Sequence, residues 1–181
     1  MAQHNANSSP RTADLGDRLA EQQRAYAGDE DRPLGGYVGA MATFGAFAAV
    51  ITMAGASRRK DAPDRFAITD IALTGIATHK ISRIISKDSV TSPLRAPFTR
   101  YKSRGGPAEV MEEVRGTGVR HAVGELVTCP FCLAPWIATA LTGGLVVAPR
   151  FTRAVTAVFA AVALSDQLQL VYAQQQQAAE Q

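Results

Sequence analysis

Thr128-Cys-Pro-Phe-Cys-Leu-Ala-Pro-Trp136 decides how the chain is read. It sets the only two cysteines at the mouth of an uncharged run that continues to Ala148. A Cys-x-x-Cys pair points to redox or metal chemistry, yet this one stands where a membrane helix would begin. Two further runs share that character. Leu34–Ser57 carries no charge, and Phe151–Tyr172 carries only Arg153 and Asp166. A hydrocarbon core of roughly 30 Å needs about 20 helical residues at about 1.5 Å each. All three runs are long enough, and their Ala and Gly content suits close helix packing.

Phe66–Ser86 is the ambiguous segment. Isoleucines recur along it, mixed with Asp70, His79, Lys80 and Arg83. It either spans, with Lys80 and Arg83 snorkelling to one end, or lies in the interface as an amphipathic helix. The reading is therefore an all-α integral membrane bundle of four transmembrane helices, or three plus one interfacial or re-entrant helix. The spans fall at about 34–56, 66–86, 129–148 and 151–173.

The rest of the chain is organised around these spans. Residues 1–33 are polar and hold six acidic residues, so the first run reads as a retained anchor rather than a cleaved signal. This segment is read as largely flexible, with a short helix around Asp14–Tyr26. The polar loop 87–127 contains two prolines four apart, Pro93 and Pro97, which argue against a regular helix there. Glu109–Arg115 is expected to form a surface helix with Glu112, Glu113 and Arg115 facing water. The Gln/Ala-rich tail 174–181 either prolongs the last helix or frays.

Lys and Arg near the helix ends set orientation. Four spans place about ten basic residues with the N-terminus and the 87–127 loop, and about six, including Arg58, Arg59 and Lys60, on the opposite side. Both termini are then cytoplasmic, and the cysteines face a reducing compartment as free thiols. The net charge of +3 is spread over loops that flank the spans, which argues against nucleic-acid binding.

His79-x-x-x-Arg83, Lys87-Asp88, Thr91-Ser-Pro-Leu-Arg-Ala-Pro-Phe98 and Gly124-Glu-Leu-x-Thr-Cys-Pro-Phe-Cys132 with Trp136 together resemble the bacterial domain of unknown function 1360. The resemblance covers roughly Phe66–Tyr172. It implies a small multi-pass protein of the bacterial cell membrane, in a family where some members are linked to sporulation. It implies no activity.

Two sets of residues carry candidate chemistry. Cys129, Cys132 and Trp136 fall on one helical face, with Pro130 suited to the first helical position and Cys129 to the cap. The helix N-terminus favours the Cys129 thiolate. Four roles stay open for the pair: packing and capping, zinc, thiol redox and acylation. Zinc wants four Cys or His ligands; one chain offers Cys129, Cys132, His79 and His121, and two chains offer four cysteines.

The second set rests on depth. Asp166 lies 15 residues into the last run, and His79 and Lys80 lie 13 and 14 residues into the Phe66 segment. With four alternating spans these helices run the same way, so the carboxylate and the bases reach one level, where an unpaired charge is costly. A polar network is expected from His79, Lys80, Arg83, Asp88 and Asp166, together with Arg95, Arg100, Cys129, Glu125 and Trp136. Asp88 is expected to neutralise Arg83 or Arg95, and Arg95 and Arg100 to meet anionic lipid. No complete catalytic motif is present. The functional expectation is a non-enzymatic accessory or scaffold protein in the bilayer, with a protein partner or a second copy and no cofactor. The alternatives are a thiol-dependent oxidoreductase using Cys129 and Cys132, or a zinc- or anionic-lipid-binding protein.

Overall fold

A computed structural model describes residues 10–28, 32–57 and 66–180. In chain order these form α1 (Pro10–Ala27), α2 (Leu34–Ser57), α3 (Ile68–Lys87), a 3₁₀ turn (Ser89–Thr91), α4 (Ser92–Arg95), β1 (Thr99–Arg104), β2 (Val110–Val114), α5 (Gly118–Thr128), α6 (Pro130–Val147) and α7 (Pro149–Ala179). The Arg58–Lys60 cluster lies outside the described residues.

Helix α3 packs against both α6 and α7, while α2 packs on α5 and α6. The α3 face that makes these contacts is made of small residues at helical spacing. Asp70, Thr74, Ala77, Thr78, Ser82 and Ser86 are all buried. Ser82 Oγ donates to Thr78 O and Ser86 Oγ to Ser82 O, each at 2.7 Å. The two serine hydroxyls are satisfied within their own helix, whereas Thr74 Oγ1 and Thr78 Oγ1 of the same stripe are buried without a hydrogen-bond partner. Gly143 lets α6 approach α2 closely: a Cβ there would lie 2.2 Å from Ile51 Cγ2 of α2.

The partition of polarity is inside out. Among the described residues five buried side chains are apolar and nine are polar or charged. Val38, Met41, Val50 and Met53 of α2, Ile68 and Ile71 of α3, and Val158, Leu164 and Leu168 of α7 point outward. In water this distribution would leave the hydrophobic effect unused; in lipid it is what helix packing requires. Three helices, α2, α6 and α7, are long and apolar enough to cross a membrane. The protein is a small all-α membrane bundle.

Residues 87–128 form a cap rather than a loop. Strands β1 and β2 pair antiparallel, with a bulge between Tyr101 and Ser103. This corrects the surface helix expected over Glu109–Arg115. Val110, Glu112 and Val114 alternate inward while Met111 and Glu113 face out, which is strand periodicity. Gly105-Gly-Pro107 supplies the turn that a hairpin needs. Helix α5 returns across this hairpin, and Gly124 permits the contact, since a Cβ there would lie 2.5 Å from Val114 Cγ1. Pro130 and Pro149 each occupy the first turn of their helices, where a missing N–H costs nothing. The last helix runs unbroken to Ala179, so the Gln-rich tail prolongs it.

Candidate functional site

The cap is tied down by one guanidinium. Arg95, at the end of the single turn α4, is fully buried. Its Nε donates to Glu112 Oε2 at 2.8 Å and its Nη2 to Glu112 Oε1 at 3.0 Å. Nη1 donates to Ile85 O at 2.6 Å and Thr91 Oγ1 at 2.7 Å, and Nη2 also donates to Asp88 O at 2.9 Å. One side chain thus joins the end of α3, the 3₁₀ turn and β2. The expectation that Arg95 meets anionic lipid is corrected: it has no exposed surface, and its charge is spent on Glu112 in bidentate geometry. Glu112, expected to face water, has a side chain only 6% exposed. Burial pushes its pKa up, but the hydrogen bonds from Arg95 and Thr99 outweigh this and hold it below the usual glutamate value.

Above α3 and α7 lies a polar chamber of about 520 Å³, roofed by the Gly106–Glu109 turn of the hairpin. Lys80 Nζ meets Asp166 Oδ2 at 2.6 Å inside it. Arg83 Nε donates to Glu109 Oε1 at 3.0 Å, and its Nη2 contacts the same oxygen. His79, Asp88, Gln167 and Gln169 complete the polar lining. Asp88 neutralises neither arginine, contrary to expectation. Arg83 and Arg95 take glutamates from the hairpin instead, because its strands bring Glu109 and Glu112 over the end of α3. Burial raises the Asp88 pKa, and nearby Lys80 only partly offsets this. The chamber's three carboxylates outnumber its two fixed cations, so its fixed charge is net negative.

Cys129, Glu125, Arg100 and Trp136 do not line this chamber. Cys129 caps α6, its Sγ accepting the Cys132 N–H at 3.2 Å. Both thiols are free, and Cys132 is the more exposed. Among the described residues no three His, Cys, Asp or Glu side chains converge on a point that could hold a metal ion. One chain therefore supplies at most two thiolates, and neither His79 nor His121 completes a zinc set. Glu125 instead docks α5 on α2: it accepts from Tyr37 Oη at 2.5 Å and from Arg32 Nη1 at 3.2 Å, with His121 Nε2 at 3.5 Å. Trp136 packs between Phe44 and Phe47 of α2, with ring centroids at 5.2 and 5.8 Å. Arg100 is exposed on β1.

A second ion pair between α3 and α7 closes the opposite end of the bundle. Arg153 Nε and Nη2 donate to Asp70 Oδ1 and Oδ2 at 2.9 and 2.8 Å. The sequence held its signal. Asp70 and Arg153 both lie near the starts of helices that run the same way, so the depth argument used for Lys80 and Asp166 applies to them as well.

The profile of a family described as "Protein of unknown function (DUF1360)" matches residues 73–172. The protein "Sporulation protein YjcA" of Bacillus subtilis (strain 168) is 34% identical over 71 residues, which are 38% of this chain. The chain spans 60% of that relative's length. No solved structure matches the chain significantly. More than half of the chain lies within the family match, and the chain belongs to the DUF1360 family.

Proposed function

We propose that this DUF1360 protein is a non-enzymatic accessory or scaffold of the bacterial membrane, which presents its cap to a protein partner. One observation carries the reading. The cap is locked to the bundle by the buried Arg95–Glu112 clasp, while Arg100–Arg104 of β1 are all exposed. A rigid attachment behind a free, basic strand is the arrangement of a presenting surface. Most charged side chains singled out in the sequence are engaged in structural pairs, which leaves no assembled catalytic constellation among the described residues. Similarity to a protein named for sporulation is in keeping with an accessory part in a membrane process. A photocrosslinking residue at Tyr101, 66% exposed, tests this in native membranes. A discrete adduct, absent when the crosslinker replaces lipid-facing Val158, is the expected result. No adduct at Tyr101, with substrate turnover by the purified protein, would overturn the proposal.

The cysteine arrangement supports a second reading, a thiol-dependent oxidoreductase in which Cys129 attacks and Cys132 resolves. Thiol trapping across a range of redox potentials separates the two. A pair that stays reduced throughout, with Cys129→Ser retaining function, eliminates this reading.

A further inference from the structure

The polar chamber does not end at its own walls. His79, Ala163 and Gln167 line it and also line a second, apolar groove of about 690 Å³ between α3 and α7. That groove is walled by Leu73, Ile76, Ala160, Ala161 and Leu164 and floored at Gly75. It lies on the outward, apolar flank of the bundle, where Ile76 is 45% and Leu164 63% exposed. The two spaces form one cleft with a polar upper compartment and an apolar lower one. A ligand matching it must be amphiphilic, with a chain parallel to the helices and a headgroup under the hairpin turn.

The charges select the headgroup. Lys80 is paired with Asp166, and Arg83 with Glu109. The Asp88 carboxylate remains without a side-chain hydrogen bond among the described residues, and burial disfavours its charge. A purely anionic headgroup would face one uncompensated negative charge. A zwitterion with an ammonium donor relieves Asp88, while its phosphate takes the N–H donors of Lys80 and Arg83 that their carboxylate partners leave over. We propose that the α3–α7 cleft binds an aminophospholipid of the phosphatidylethanolamine type, with its headgroup in the chamber at Asp88, Lys80 and Arg83 and one acyl chain in the groove along Gly75. This inference rests on the bundle being embedded in lipid and is independent of the scaffold reading.

Native mass spectrometry of the full chain tests it, with protein purified in detergent micelles that contain equal amounts of phosphatidylethanolamine, phosphatidylglycerol and phosphatidylcholine. One retained phosphatidylethanolamine is expected, favoured at least about fivefold over either competitor. Asp88→Asn should erase the preference for the primary ammonium over the quaternary one. Gly75→Leu should abolish retention of any lipid. A Cβ at position 75 meets nothing within 4 Å, so the backbone there accepts a side chain on the groove, and an unchanged circular dichroism spectrum verifies the fold. Phosphatidylglycerol retained as well as or better than phosphatidylethanolamine would overturn the proposal. Retention unaffected by Gly75→Leu, or no lipid held above the bulk ratio, would do so too.

Discussion

Arg95→Ala should open the cap while leaving the helices in the membrane. The substitution strands the Glu112 carboxylate, 6% exposed, with the hydroxyls of Thr99, at 2.9 Å, and Ser92 as its remaining side-chain partners. It also leaves the carbonyls of Ile85 and Asp88 without the guanidinium donors that reached them. Removing one partner of a buried ion pair costs roughly 3–5 kcal/mol. At about 1.4 kcal/mol per tenfold, the open population of the cap should rise by about 10²-fold or more. Trypsin reports this directly, because β1 carries Arg100, Lys102 and Arg104 and must leave the hairpin to enter a protease. When opening is fast relative to cleavage, the rate follows the open population. Arg95→Met with Glu112→Leu should recover much of the loss, since an apolar pair of similar volume replaces a buried ion pair at little cost. Recovery should be incomplete because Ile85 O loses its guanidinium donor, while Asp88 O keeps only those of Thr91. Acid provides a second check. Glu112 has a folded pKa depressed below 4.5, so its stabilisation is fully present above that value and is lost as pH falls through the folded one. Protection of β1 should fall in that window, and Glu112→Gln should flatten the dependence. Wild-type cleavage rates in Arg95→Ala would refute the clasp.

Three further outcomes follow from the packing. Gly143→Ala should destabilise the bundle by about 1–3 kcal/mol through overpacking, and Ile51→Ala in the same chain should restore it. Detergent unfolding followed by the fluorescence of Trp136, the only tryptophan, reads this. A double-mutant cycle on Asp70 and Arg153 should give a coupling of about 0.6 and at most about 1.7 kcal/mol; zero coupling would show that the pair is incidental. Asp88→Asn, which removes a carboxylate whose charged form burial disfavours, should stabilise the lipid-free protein by less than about 1 kcal/mol, seen as a small rise in melting temperature in lipid-free detergent.

Charge-free length made α2, α6 and α7 legible in the sequence, and helix geometry alone placed Lys80 level with Asp166. What stayed hidden depended on the hairpin. Val110 and Val114 stand four apart, which suits one face of a helix and one face of a strand equally, and the two glutamates between them favour the helical reading. A helix over Glu109–Arg115 hides Glu109 and Glu112 as partners and leaves Asp88, near in sequence, as the apparent partner of the arginines. Without a glutamate in reach, Arg95 reads as a lipid-facing cation. Its true environment could be found only from the hairpin pairing, which sets Tyr101 opposite Glu112 and turns Thr99 and Glu112 toward α4. The cysteines show one role, Cys129 capping the start of α6, and two ligands alone do not make a metal site.

The two ion pairs between α3 and α7 also measure the depth of the bundle. Asp70 and Lys80 are ten residues apart, Arg153 and Asp166 thirteen, so the pairs are separated by about 15–20 Å along the axes. Arg153, with a side chain 53% exposed, is suited to an interface. From there a core of roughly 30 Å ends about 20 residues on, near Tyr172, where the Gln174–Gln177 run begins. The remaining turns of α7 then stand in water beside the hairpin. If helix α3 crosses the same slab, it does so from Ile68 to Lys87, which sets Lys80 and Asp166 roughly 10–15 Å below the hairpin side. In a Cys129→Ser/Cys132→Ser background, a membrane-impermeant thiol reagent should label Gln176→Cys and Lys102→Cys from one side of sealed vesicles and Arg153→Cys from the other. From the distribution of basic residues we propose that the first side is the cytoplasmic one. Positions 66 and 87, as Phe66→Cys and Lys87→Cys, decide whether α3 spans. Labelling from opposite faces is expected. Labelling from a single face would make α3 an interfacial helix, and a helix lying flat could not keep Asp70 with Arg153 and Lys80 with Asp166 on an α7 that crosses the membrane.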